Sequence, residues 1–278
     1  MPAADRLRAA DRFARGRRGL TAALALLFLL PGCPALIGGG GGLPTVPLDE
    51  LPATQRELLA VADKVHRGSR RVRDLIRART ALLKAELLAE ASFSTTWRLA
   101  RVDSVLARLD EGRAAAWATE GLAAAERALA LAPGKAHGHL YRAICAGLVA
   151  KATPTRAEQL MNTVVEAATK AAELDPHYEG GEARRVLGAI YLYAPPWPTG
   201  VGDIDEAIAV LEVVAEEHPE DPRSHFYLAE AYRRTDDRRR AAEFYRRVLA
   251  AKRRGLWAVE GPPYRRDARE RLREFGSP

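Results

Sequence analysis

PRSHFYLAEAYRRTDDRRRAAEFYRRVLA, residues 222–250, decides the fold. Leu228, Ala229 and Tyr232 recur at helical spacing in its first half, and Ala241, Tyr245 and Val248 do so in its second. Apolar and small residues at such steps line one face of a helix, so the stretch predicts two helices joined by a turn. Composition agrees. Alanine, leucine, arginine and glutamate dominate, aromatics are 6%, and β-branched residues seldom run together. Such side chains lose little rotamer freedom in a helix.

Working outward from this hairpin, the chain repeats. AERALALAP, ATKAAELDP and LEVVAEEHP end at Pro133, Pro176 and Pro219, 43 residues apart twice running. A small or compact residue stands five positions before each proline, at Ala128, Ala171 and Val214. Proline cannot continue a helix, so each marks the end of one unit's second helix. The first helices also correspond. WRLARVDS, LYRAICAG, RVLGAIYL and FYLAEAYR carry a small residue at Ala100, Ala143, Gly188 and Ala229, which lets two helices approach closely.

This is the pattern of a tetratricopeptide repeat, whose usual period is about 34 residues. Residues 222–250 fit that period, and the earlier units run long through extended connections. Residues 59–92 read as a further, degenerate hairpin, and PPYRRDARERLREF (262–275) as a capping helix that covers the last repeat's apolar face. The predicted fold is all-α: a tetratricopeptide-like solenoid of four to five hairpins plus a C-terminal capping helix, over residues 51–278.

The N-terminus has another character. Residues 1–32 begin with six arginines against two aspartates, continue with an apolar run from Leu20 to Leu30, and end in small residues. The run is short for a membrane span and suits a cleaved export signal. Leu30-Pro31-Gly32-Cys33 resembles a bacterial lipobox, which implies cleavage before Cys33 and acylation of that cysteine. An ordinary signal peptide cut nearby is the alternative. Residues 33–50, with a run of five glycines, read as a flexible tether. Pro34 after the cysteine implies the outer membrane, with the protein facing the periplasm.

Net charge is +7, but unevenly spread. Residues 33–232 hold 22 basic and 27 acidic side chains, whereas residues 233–278 hold 15 and 7, a net of +8. The basic end reads as a solvated helical face or as a contact for phosphate headgroups or an acidic partner. No nucleic-acid motif accompanies it, so no nucleic-acid partner is expected. Cys145, in a helical stretch, reads as a small core residue. His137 and His139 lack acidic or cysteine partners at metal-ligand spacing, and the glycine run is not set between a strand and a helix. The expectation is a protein with no enzymatic activity, no metal and no cofactor.

One stretch breaks the helical pattern. YLYAPPWPTGVGD, residues 191–203, separates a helix ending near Tyr193 from one starting at Asp203 or Ile204. Pro195, Pro196 and Pro198 fix φ and stiffen it, Gly200 and Gly202 permit tight bends, and Asp203 or Asp205 can cap the next helix. Rigid aromatics offer contact area at low entropic cost, which makes Tyr191, Tyr193 and Trp197 candidate ligand or partner contacts. Alternatively Trp197 folds back as a plug on its own repeat. Trp97 faces a similar choice between core and contact.

Taken in order, WRLAR (97–101), GLAAAERALALAP (121–133), AAELDP (171–176), Gly180-Gly181 before RRVLGAIYL, APPWPTGVGD (194–203), EAI and FYLAEAY resemble the T-component proteins of tripartite ATP-independent periplasmic (TRAP) transporters. The resemblance spans roughly residues 55–235. It implies a lipid-anchored transporter accessory, working beside a periplasmic solute-binding protein and enclosing an apolar channel or cleft for a hydrophobic or organic-acid ligand. Trp97, Arg101, Tyr191, Tyr193, Trp197, Asp203 and Tyr232 are the candidate binding residues, and Cys33 is the lipid attachment point. The competing reading is a membrane-tethered protein-interaction scaffold in the envelope. The first predicts an apolar cavity lined by Trp or Tyr, and the second an open groove with polar and charged walls.

Overall fold

The computed structural model describes residues 42–89 and 92–276. The expected export signal, Cys33 and the first part of the tether lie outside the described residues. Eleven α-helices occur among the described residues. They pair as five hairpins: α1 (Gln55–Gly68) with α2 (Val72–Leu88), α3 (Phe93–Leu109) with α4 (Ala114–Leu131), α5 (Ala136–Ala152) with α6 (Ala157–Leu174), α7 (Glu182–Tyr193) with α8 (Ile204–Glu217), and α9 (Pro222–Arg234) with α10 (Arg238–Ala250). The last helix, α11 (Leu256–Glu274), is the cap.

The helix starts follow from capping chemistry. Thr54 and Ser92 accept hydrogen bonds from the backbone amides of Glu57 and Thr95, and Asp203, Asp221 and Asp237 cap α8, α9 and α10. Each satisfies amides that the first helical turn leaves without partners. The second helices end at Leu131, Leu174 and Glu217, two residues before the three repeating prolines.

First helices touch the first helices of neighbouring hairpins: α1 meets α3, α3 meets α5, α5 meets α7 and α7 meets α9. Second helices make no such contact with one another among the described residues. The first helices therefore form the inner layer of the superhelix. Small residues sit in the packed core between the helices. Ala100, Ala143 and Ala229 are fully buried, as are Ala128 and Val214 on the partner helices. Cys145 is buried in the core, where its Sγ lies 3.6 Å from the carbonyl oxygen of Ala100 and burial pushes its thiol pKa up.

Gly188 shows the tightest constraint. A β-carbon there would lie 2.5 Å from Cγ of Leu211, a fully buried residue of the adjoining helix. Gly188→Ala gains up to about 1 kcal/mol of helix propensity but overpacks the α7–α8 contact at about 1–3 kcal/mol. The variant is therefore expected to be less stable, by up to about 2 kcal/mol, as a lowered urea midpoint.

Two boundaries differ from the sequence reading. The tether does not extend to residue 50, because residues 43–51 are seated on α2. Val46 donates its backbone N–H to Oγ1 of Thr80 at 3.2 Å, Lys84 donates to the carbonyls of Leu48 and Leu51, and Leu51 is buried. A glycine-rich opening hid the apolar residues that anchor this segment. The cap also begins at Leu256, six residues before the Pro262 expected as its start, and carries Pro262 and Pro263 inside. Tertiary contacts of the first turns, through Trp257 and Glu260, override the proline signal.

Candidate functional site

Two regions gather the functional candidates: the inner layer and the 194–203 loop. In the inner layer, Trp97 on α3 is 7% exposed, with the guanidinium groups of Arg98 and Arg101 4.3 Å and 4.7 Å from its ring centroid. Both arginines converge on Asp63 of α1, at 2.9 Å from Nε of Arg98 and 2.5 Å from Nη2 of Arg101. Burial raises the Asp63 pKa, but the hydrogen bonds and charges of the two arginines outweigh it and leave the carboxyl below its ordinary value. Trp97 is a core residue and Arg101 an ion-pair residue.

A second network joins the two ends of the repeat. Arg70, after α1, donates to Glu260 of α11 at 2.5 Å. Glu260 lies 3.3 Å from Arg223 of α9, which pairs with Glu182 of α7 at 2.8 Å and with Asp221 at 3.1 Å. Arg185 completes it, 1% exposed, bonded to Asp221 at 2.8 Å and to Glu182 at 2.7 Å. Burial alone would raise the Glu182 pKa, yet Arg223 and Arg185 hold it down at about 2. The turn between α1 and α2 is thus tied by charge to α7, α9 and α11, and α11 packs against the first hairpin.

Between the networks lies a cavity of about 30 Å³, bounded by His66, Arg101, Tyr141, Glu179, Arg223 and Glu260. That is room for about two water molecules. Nε of Arg101 is buried without a hydrogen-bond partner among the described residues. The inner side is therefore filled with guanidinium, carboxylate and phenol groups, which corrects the expectation of an enclosed apolar channel. A stretch-by-stretch reading could not reveal this, because the pairs join residues as far apart as Arg70 and Glu260.

Burial, then the charges of Arg101 and Arg70, depress the His66 pKa to about 3. His66 stays neutral in the folded protein where an unfolded histidine, with pKa near 6.5, takes a proton. Between those values the unfolded state binds more protons, so stability falls as pH drops from about 6.5 toward 3. The expected result is a lower urea midpoint at pH 5 than at pH 7, and His66→Gln should shrink that difference.

The loop is built differently. The N–H of Gly202 donates to the carbonyl of Pro195 at 2.8 Å, that of Asp203 to Tyr191 at 2.9 Å, and those of Thr199 and Gly200 to Pro196 at 3.1 Å. A β-carbon at Gly202 would collide with the Ala194 carbonyl oxygen, so the closure needs glycine. The stem is clamped from α9: Arg234 donates to the Leu192 carbonyl at 2.5 Å and lies 4.8 Å from the Tyr193 ring. Trp197 stands at the tip, 85% exposed. That exposure excludes the plug.

The predicted residues therefore separate. Trp197 and the half-exposed Tyr193 share the loop surface. Tyr191, on α7, is partly buried against the cluster of Leu192, Ala207 and Ala231, and Asp203 caps α8 by accepting from the amides of Asp205 and Glu206. Tyr232 is 2% exposed, donates its hydroxyl to Glu212 and stacks on Phe244, which corrects its reading as a contact residue. Sequence reading missed the ionic residues Asp63, Glu182, Arg185, Asp221, Arg223 and Glu260. The Asp221-Pro222 helix start was their only local signal. It also missed His177, Glu217 and His218, whose ligating atoms lie within 4.8 Å of one another. Arg184 holds both carboxylate oxygens of Glu217 there.

This arrangement defines a class: the chain is a tetratricopeptide-like helical-repeat protein. The family described as "Tetratricopeptide repeat" matches residues 200–258, and the family described as "Regulator of microtubule dynamics protein 1-3" matches residues 58–180, less than half of the chain. A crystal structure of a thermophilic tetratricopeptide protein from Thermus thermophilus superposes with a TM-score of 0.58 at 16% identity, covering 80% of this chain and 98% of that one. At that identity the likeness concerns the fold. No curated protein matches the sequence. No helix among the described residues is long and apolar enough to cross a membrane.

Proposed function

We propose that this protein binds a protein partner through the 194–203 loop and acts as an envelope-tethered accessory to a transporter, docking a periplasmic solute-binding protein. The observation that carries the reading is Trp197, a large aromatic almost wholly in water on a loop whose backbone is fixed. Exposed aromatics of this kind anchor interfaces, because they bury much area and lose few degrees of freedom on binding. Tetratricopeptide-like repeats serve protein–protein interaction in general, which agrees. The finer identity of the partner and the anchoring through Cys33 to the outer membrane rest on the sequence resemblance. The role is binding rather than catalysis. Because the inner side is charged and nearly filled, a hydrophobic or organic-acid ligand belongs to the joint surface with the partner and not to the solenoid interior.

The test compares capture from native envelope extract by the wild type and by Trp197→Ala. A solute-binding protein should be retained by the wild type and its apparent affinity should fall at least about tenfold in the variant, the scale of one interface anchor. The urea midpoint should not move, since the side chain has almost no contacts to lose. Retention of other envelope proteins, unaffected by Trp197→Ala, would favour a general scaffold whose contact surface lies elsewhere.

A further inference from the structure

Of the excess positive charge of residues 233–278, Arg234 clamps the stem of the loop, but much of the rest is unpaired. Arg253, in the link before α11, and Arg269, on α11, form no ion pair and no side-chain hydrogen bond among the described residues. Both line one hollow of about 170 Å³, together with Arg265, Trp257 and Pro262. No carboxylate lines it. The acids of α11 are engaged elsewhere or face no arginine of the hollow: Glu260 pairs with Arg70 and Arg223, Asp267 with Arg266, Glu274 with Arg271, and Glu270 forms no ion pair.

Arg265 is the buried member, 6% exposed, and its position is built. It donates through Nη1 to the Leu249 carbonyl at 2.5 Å and through Nη2 to that of Ala251, which ties α11 to the end of α10. Its Nε–H makes no hydrogen bond among the described residues. Burial, and then the charges of Arg253 and Arg269, push its pKa down. Three like charges gathered at one hollow repel one another, and no carboxylate lines the hollow to offset them.

We propose that this hollow binds a phosphate group, with Arg253 and Arg269 as its ligands and Arg265 as the buried charge beneath. Guanidinium groups match phosphate geometry with paired N–H donors. The hollow is smaller than the roughly 300–1,000 Å³ of pockets that enclose whole organic ligands, so it suits a headgroup or a small phosphate rather than a large molecule. Its three arginines disfavour cationic ligands. The assignment is independent of what the Trp197 loop binds.

Two probes distinguish the source of the phosphate. Inorganic phosphate is titrated calorimetrically into the full-length chain at low salt, and vesicles of phosphatidylglycerol or of phosphatidylcholine alone are used for co-sedimentation. The variant is Arg253→Gln/Arg269→Gln. The control, Arg239→Gln/Arg246→Gln, removes equal charge from two other arginines without ion pairs. All four sites are exposed, and unchanged melting temperatures check folding. Hydrogen bonds to charged groups are strong enough that affinity should fall at least about tenfold in the first variant and less than about twofold in the control. That pattern with inorganic phosphate assigns a soluble ligand, and that pattern only with phosphatidylglycerol vesicles assigns a lipid headgroup. Absence of binding to both probes, or equal loss in the two variants, would overturn the proposal.

Discussion

Asp221→Ala should destabilise the protein by about 3–5 kcal/mol, the cost of removing one partner from a buried ion network. Asp221 is 1% exposed and serves two arginines at once, Arg185 at 2.8 Å and Arg223 at 3.1 Å. Without it, Arg185 keeps Glu182 and the hydroxyl of Ser224, whereas Arg223 keeps Glu182 and Glu260. Two buried guanidinium groups would then share too few carboxylates. The backbone amide of Arg223 also loses the cap that starts α9, worth about 1 kcal/mol within that sum. Asp221→Asn separates the effects: an asparagine can still cap, so it should recover the capping part and leave the charge loss. Urea denaturation monitored by circular dichroism measures both variants. A loss below about 1 kcal/mol for Asp221→Ala would mean that the network is solvated in solution.

A change of similar size is expected at Trp117, for a different reason. Its indole is fully buried in α4, against the first three hairpins' core. Its Nε1–H donates to Oδ2 of Asp110 at 3.0 Å, and the Arg79 guanidinium lies 5.2 Å from its ring. Trp117→Ala should cost about 3–5 kcal/mol through lost burial and the cavity left behind. Trp117→Phe keeps most of the volume and loses the hydrogen bond, so it should cost clearly less. Together these two positions compare an ionic and an apolar means of holding the repeat. High salt should weaken neither much, because buried pairs are little screened.

The repeat was legible because its determinants are local. Prolines 133, 176 and 219 follow the ends of the second helices, and Ala100, Ala143, Gly188 and Ala229 mark the closely packed side of the first helices. Asp203 and the Pro195–Gly202 stretch marked both ends of the loop to within a residue. What escaped was non-local. Arg70 and Glu260 are ordinary surface types in the sequence, and only the curvature of five hairpins brings them together. The start of α11 and the seating of residues 43–51 were hidden for the same reason: contacts with distant residues override a proline signal in one and a glycine-rich opening in the other. The direction of the Trp197 side chain depends on the path of the loop backbone, so sequence left both plug and contact open.

The most direct test of the account places a photo-cross-linking amino acid at position 197 in living cells, and at Leu87 as an equally accessible control, 76% exposed on α2. A covalent adduct is expected between position 197 and a periplasmic solute-binding protein, with none from position 87. No adduct from position 197, or the same adducts from both positions, would contradict the account.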